Sequence, residues 1–134
     1  MKYVLDASVA VAAVRPNEPT YGPARARVAL AIQGVDQIVV PALFPIEVSA
    51  SLARAGWAAV DIDAYLAALA SPPHQIVTIG ARRAELIRQV AIACRLRAAD
   101  SCYVWLAGRE RAPLCTLDRE IRQRSAGHCA TLAP

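Results

Sequence analysis

The chain has 134 residues and a mass of 14.3 kDa, the size of one domain built on one hydrophobic core. Apolar residues make up 56% and charged residues 19%, which excludes a disordered chain, and the aliphatic excess over 5% aromatics suits interleaved helices and strands. Fifteen basic against eleven acidic residues give +4, a modest positive field carried almost wholly by arginine, since Lys2 is the sole lysine.

Lys2 to Leu5, β-branched and aromatic, predicts a strand stopped by Asp6, and the small apolar run Ala7 to Val14 predicts a buried helix. Pro16, Asn17, Pro19 and Gly22 mark a loop over 15–22, after which Pro23 at a first helical position opens a helix to Ile32, closed by Gly34. Gln37 to Val40 predicts the second strand. Pro41 opens the next helix, which Gly56 ends. Asp61 caps a helix to Ala70, which Pro72-Pro73 breaks, and Gln75 to Ile79 predicts the third strand. Helices over 81–96 and 100–109 lead to a fourth strand at Leu114 to Leu117, a short helix over 118–124 and a fifth strand at Cys129 to Leu132. Strands separated throughout by helices require parallel pairing through right-handed crossovers, hence an α/β sandwich with helices on both faces of one sheet. In such a sheet the ligand site lies at the carboxyl ends of the strands, where the strand order reverses.

A charge at Asp6, inside what would be the apolar region of a signal peptide, argues against export, and no apolar run approaches the ~20 residues of a membrane span. Cys94, Cys102, Cys115 and Cys129 form no C-x-x-C pair and His74 and His128 are far apart, so the cysteines read as small buried residues of a cytoplasmic protein and a zinc site is not expected.

Four acids stand in apolar company: Asp6 after Tyr3-Val4-Leu5, Glu47 within Leu43 to Val48, Asp100 after Ala98-Ala99, and Asp118 after Cys115-Thr116-Leu117. Asp6 and Asp118 fall at predicted carboxyl ends of strands, on the ligand edge. Taken singly, Asp6 and Asp118 are equally explained as helix N-caps, worth about 1 kcal/mol each, and Asp100 as a residue that caps or begins its helix. Glu47 has no such explanation, and no cation follows it before Arg54. Taken together, carboxylates that converge repel one another and call for a cation. All-oxygen ligands select Mg²⁺ or Mn²⁺, which lower the pKa of bound water and stabilise charge in phosphodiester cleavage. Ser8 and Thr116, each two residues from an aspartate, are candidate hydroxyls for orienting a carboxylate; turn and cap bonding is the other reading of both.

Val4-Leu5-Asp6-Ala7-Ser8, then Pro41 to Val48 ending in Glu-Val, Ala99-Asp100 heading an apolar helix, and Thr116-Leu117-Asp118 together resemble the PIN domain, and in length the toxin of VapBC-type toxin–antitoxin pairs. The resemblance implies a single nuclease domain over 1–134, a three-layer α/β/α sandwich whose parallel sheet has the order 3-2-1-4-5, and a metal-dependent endoribonuclease. By position it makes Asp6, Glu47 and Asp100 the principal metal-site acids and Asp118 the more variable fourth. It also implies a homodimer and a cognate antitoxin whose tail covers the acidic pocket. For the RNA substrate, Arg15, Arg82, Arg83, Arg95, Arg97, Arg109, Arg111 and Arg119 are the available base. Arg97 and Arg119 flank the acids, and Tyr21 and Trp57 are candidate stacking aromatics.

Two other classes compete. An inert PIN-like module would hold RNA or a protein without cutting; a complete acid set with no role would be a liability to it. A phosphotransfer domain fits poorly, because a receiver needs a late lysine and an aspartate-nucleophile phosphatase needs a second aspartate where Ser8 stands.

Overall fold

The computed structural model describes residues 1–134. Its elements run β1 (Lys2–Leu5), α1 (Ala7–Ala12), α2 (Tyr21–Ile32), β2 (Gln37–Pro41), α3 (Phe44–Arg54), α4 (Ala59–Ala70), β3 (Gln75–Val77), α5 (Ala81–Cys94), α6 (Ala98–Glu110), β4 (Leu114–Cys115), α7 (Arg119–Arg124) and β5 (Thr131–Leu132). The strands form one all-parallel sheet in the order β3-β2-β1-β4-β5, the expected 3-2-1-4-5, within a three-layer α/β/α sandwich. β1 is central, pairing Tyr3 with Ile38 on one side and Leu5 with Cys115 on the other. Its Tyr3, Val4 and Leu5 are fully buried, as a strand covered on both faces demands. They belong to a core of 28 buried residues. The helices α1 to α4 pack among themselves, while α5 packs on α6, and α6 lies against β1, β2 and β4. No helix is long and apolar enough to cross a membrane.

Several boundaries differ from expectation for local reasons. Pro41 does not open a helix but ends β2, opposite Val77 of β3; pairing with β1 stops earlier, at Val39, so the missing N–H breaks no bond there. The following helix begins at Phe44 and takes Pro45 into its first turn, where backbone donors have no partner anyway. For the same reason Pro23 sits inside α2, which starts at Tyr21. Asp61 lies in the first turn of α4 rather than at its cap, which is Ala58. α5 stops at Cys94 because Arg95 turns left-handed, at φ 53°, and α6 starts at Ala98, two residues before Asp100. Of the two readings of Asp100, it is therefore the helix-beginning one that holds: Asp100 lies in the first turn and is not the cap, which is Arg97. β3, β4 and β5 are shorter than expected, and α1 ends at Ala12.

Of the four cysteines, only Cys94 and Cys115 are fully buried, whereas Cys102 and Cys129 remain partly exposed. Burial pushes the Cys115 thiol up to about 12, so it behaves as a neutral core group.

Candidate functional site

Strand order reverses between β1 and β4, and the chain leaves their carboxyl ends at Asp6 and Thr116. Thr116 Oγ1 donates to Asp6 Oδ2 at 2.6 Å and Ser8 Oγ donates to the same oxygen at 2.7 Å. Both hydroxyls accept in turn, Thr116 from the Asp118 N–H at 3.1 Å and Ser8 from the Leu117 N–H at 3.5 Å. A continuous network thus links β1 to the β4–α7 turn across the switch point. The two readings of Ser8 and Thr116 coincide, since each hydroxyl both orients a carboxylate and bonds a turn.

Asp6 is only 6% exposed. It caps α1 weakly through the Ser8 N–H at 3.4 Å, so Oδ1 keeps most of its capacity. Burial raises its pKa most; the Thr116 and Ser8 donors oppose the rise, and the Asp100 charge adds to it. Replacing Thr116 with Val removes a buried donor to a carboxylate, a bond worth about 1.5–3 kcal/mol. Urea unfolding without divalent ions should show a loss on that scale; an unchanged midpoint would mean that Asp6 does not depend on this hydroxyl.

Glu47 projects from the first turn of α3 and is half-buried. Tyr103 of α6, buried to 1% exposure, donates its hydroxyl to Glu47 Oε2. Burial raises the Glu47 pKa, the tyrosine donor opposes this, the Asp6 and Asp100 charges raise it further, and Arg97 lowers it. Those couplings put Asp6, Glu47 and Asp100 within electrostatic reach of one another. Tyr103 is the functional contact that sequence reasoning missed. The available signal was a tyrosine three residues after Asp100, on the same face of an apolar helix, whose buried hydroxyl must find a partner.

Asp118 caps α7 by accepting from the Glu120 and Ile121 N–H groups at 2.7 and 3.2 Å. Its second oxygen and Asp100 Oδ2 are joined by Arg97, at 3.4 Å from Asp118 and 2.9 Å from Asp100. Arg97 is 75% exposed, so this pairing orients more than it stabilises. Arg119 begins α7 directly beside Asp118 and is exposed.

The remaining candidate bases scatter. Arg109 and Arg111 lie at the far end of α6, where Arg109 stacks on Trp105 and pairs with Glu110, away from the acids at the helix start. Arg83 donates to the Thr78 carbonyl, Arg15 pairs with Glu18 at 3.0 Å, and the Arg95 carbonyl accepts from Arg124. Arg82 is exposed at the start of α5. Tyr21 is occupied by Arg25, which donates to its hydroxyl and lies over its ring, and Trp57 packs against the core.

The donor set suits a hard cation in kind: every group is a carboxylate or a hydroxyl, and two of the carboxylates are held where their charge is disfavoured. It is not a closed cage, because no three His, Cys, Asp or Glu side chains stand close enough to enclose an ion. An ion that keeps several waters and takes one or two carboxylates directly fits such an open mouth.

A family model described as PIN domain matches residues 3–126. The chain belongs to the PIN domain family. Among solved structures, this PIN domain is similar to VapBC2 from Rickettsia felis, bound to a DNA fragment from their promoter, at 14% identity and a TM-score of 0.70, covering 99% of this chain and 98% of that one. It is also similar to PAE2754 from Pyrobaculum aerophilum, at 17% identity and a TM-score of 0.66, covering 98% of this chain and 89% of that one. At those identities the likeness concerns the fold. No curated protein matches this chain in sequence.

Proposed function

We propose that this PIN domain is a Mg²⁺- or Mn²⁺-dependent endoribonuclease and the toxin of a toxin–antitoxin pair. What supports the reading is that, in a chain of this family, Asp6 is bonded to Thr116 at the switch point of the sheet, Arg97 bridges Asp100 and Asp118, and the charges of Asp6 and Asp100 both act on Glu47. Asp6, Glu47 and Asp100 would hold the ion, with Asp118 at its margin because one of its oxygens is committed to capping α7. When bound, the ion supplies positive charge to the scissile phosphate and to the water that attacks it. The new bond joins the water oxygen to phosphorus and the bond to the 3′ oxygen breaks, leaving a 5′-phosphate and a 3′-hydroxyl. Ser8 and Thr116 keep Asp6 aimed, Tyr103 keeps Glu47 aimed and charged, and Arg97 and Arg119 offer cations to the strand.

The structural likeness to VapBC2 and the resemblance in length support the toxin assignment and with it a cognate antitoxin; a homodimer and a cytoplasmic site of action are part of the same proposal, implied by the family resemblance alone. Purified protein is expected to cut RNA when Mg²⁺ or Mn²⁺ is added and to stop in chelator. Cleavage that persists in chelator would contradict the reading.

Two observations favour the alternative, a PIN-like module that binds without cutting: Arg97 already pairs with both Asp100 and Asp118 and offsets one of their two charges, and no closed cage exists. Metal binding separates the two readings.

Replacing Tyr103 with Phe gives a finer test. Loss of the hydroxyl removes the donor that favours ionised Glu47, so the Glu47 pKa rises further. If the reaction needs that carboxylate ionised, the acid limb of the pH–rate profile moves to higher pH. A profile that keeps its acid limb while losing only amplitude would remove Glu47 ionisation from the reaction.

A further inference from the structure

Beside the acids, a groove of about 560 Å³ opens between α1 and α3. Glu47, Ser51 and Arg54 follow one another along its α3 wall, and Ser8, Glu18 and Thr20 also line it. Glu47 and Arg54 are seven residues apart on one helix, so they share a stripe and lie two turns, about 10 Å, apart along the axis. α1 lines the opposite wall with short side chains, which is why the space between the helices stays open. Arg54 is exposed and is in none of the ion pairs of the chain. Glu18, by contrast, is steadied by Arg15 at 3.0 Å.

We infer that this groove is the subsite for an unpaired nucleotide adjoining the scissile phosphate, and that Arg54 is a positioning residue that grips a neighbouring phosphate of the same strand. The inference rests on the nuclease reading only for where the scissile phosphate lies. Three features carry it. The volume falls in the range of small-ligand pockets and is enough for a nucleotide. The polar groups that line it, the hydroxyls of Ser8, Thr20 and Ser51 and the carboxylates of Glu18 and Glu47, offer donors and acceptors to a base edge and to a ribose hydroxyl. The only cation that lines it is a free guanidinium, the group whose fork matches phosphate oxygens, two helical turns away from the acids. Duplex RNA keeps its base edges stacked inside and has no means of entering, so the groove selects single-stranded segments.

The test is fluorescence anisotropy of a fluorescein-labelled single-stranded RNA oligonucleotide in EDTA, so that binding is read without cleavage, across a salt series. Arg54→Ala is expected to bind about tenfold more weakly, with the slope of log affinity against log salt smaller by about 0.7, the share of one phosphate contact on a single strand. Arg54→Lys should keep most of that slope, and duplex RNA of the same sequence should not distinguish Arg54→Ala from wild type. Wild-type affinity and slope in Arg54→Ala would overturn the subsite, as would an equal loss for single-stranded and duplex RNA. If the wild-type protein binds in this Arg54-dependent way but never cleaves, the nuclease reading fails and the subsite stands.

Discussion

Asp6→Asn and Asp100→Asn are each expected to lower metal-stimulated RNA cleavage by about 10²-fold or more, with circular dichroism and elution volume unchanged. Asparagine keeps the shape of Asp6 and remains a good helix cap for α1, and its amide can donate to the Ser8 and Thr116 hydroxyl oxygens that now donate to Oδ2. The fold therefore has no reason to change; what is lost is a negative oxygen at the mouth. At Asp100 the variant gives up the pairing with Arg97, an exposed contact of small worth to stability. Asp118→Asn should lower cleavage less than either, since the cap of α7 already uses one of its oxygens. RNA cleavage that survives both Asp6→Asn and Asp100→Asn would remove the acids from the chemistry.

A divalent ion should also change stability, in a direction set by the buried acids. Asp6 and Glu47 have folded pKa values raised above their ordinary 3.8 and 4.5, chiefly by burial. The folded state therefore binds protons more tightly than the unfolded one. The stability this contributes is complete below those ordinary values and is lost as pH rises through the raised ones. Without metal, the protein at neutral pH is penalised by its own site, and Asp6→Asn should melt at a higher temperature than wild type. Adding Mn²⁺ should reverse the order. At an ion concentration of about 100 times Kd, wild type gains about 2.7 kcal/mol, a shift of several degrees, while Asp6→Asn barely responds. If metal-free Asp6→Asn melts below wild type, the Asp6 carboxylate is a net stabiliser and the electrostatic account of the site is wrong.

Much of this arrangement was legible because the strands end on polar residues. Tyr3-Val4-Leu5 stopping at Asp6, and Cys115-Thr116-Leu117 stopping at Asp118, mark both a strand boundary and the sheet edge where a ligand sits. Glu47 stood out because nothing near it in sequence could satisfy its charge. Its partner was not legible, since Tyr103 lies 56 residues further on and meets it only after α3 and α6 converge. The helix starts were harder still. Neither Arg97 nor Ala58 carries a side-chain cap, and a proline tolerated in a first turn looks the same in sequence as one that opens a helix. The groove lined by Arg54 was readable in half: the spacing from Glu47 aligns the two on α3, but only the packing of α1 shows that the stripe faces open space.

Calorimetric titration of Mn²⁺ into the purified protein, repeated with Asp6→Asn, tests most directly whether these acids form a cation site. Saturable binding by wild type that is abolished or greatly weakened in Asp6→Asn is the predicted result. Absence of binding to wild type, or binding that the substitution leaves untouched, would contradict it.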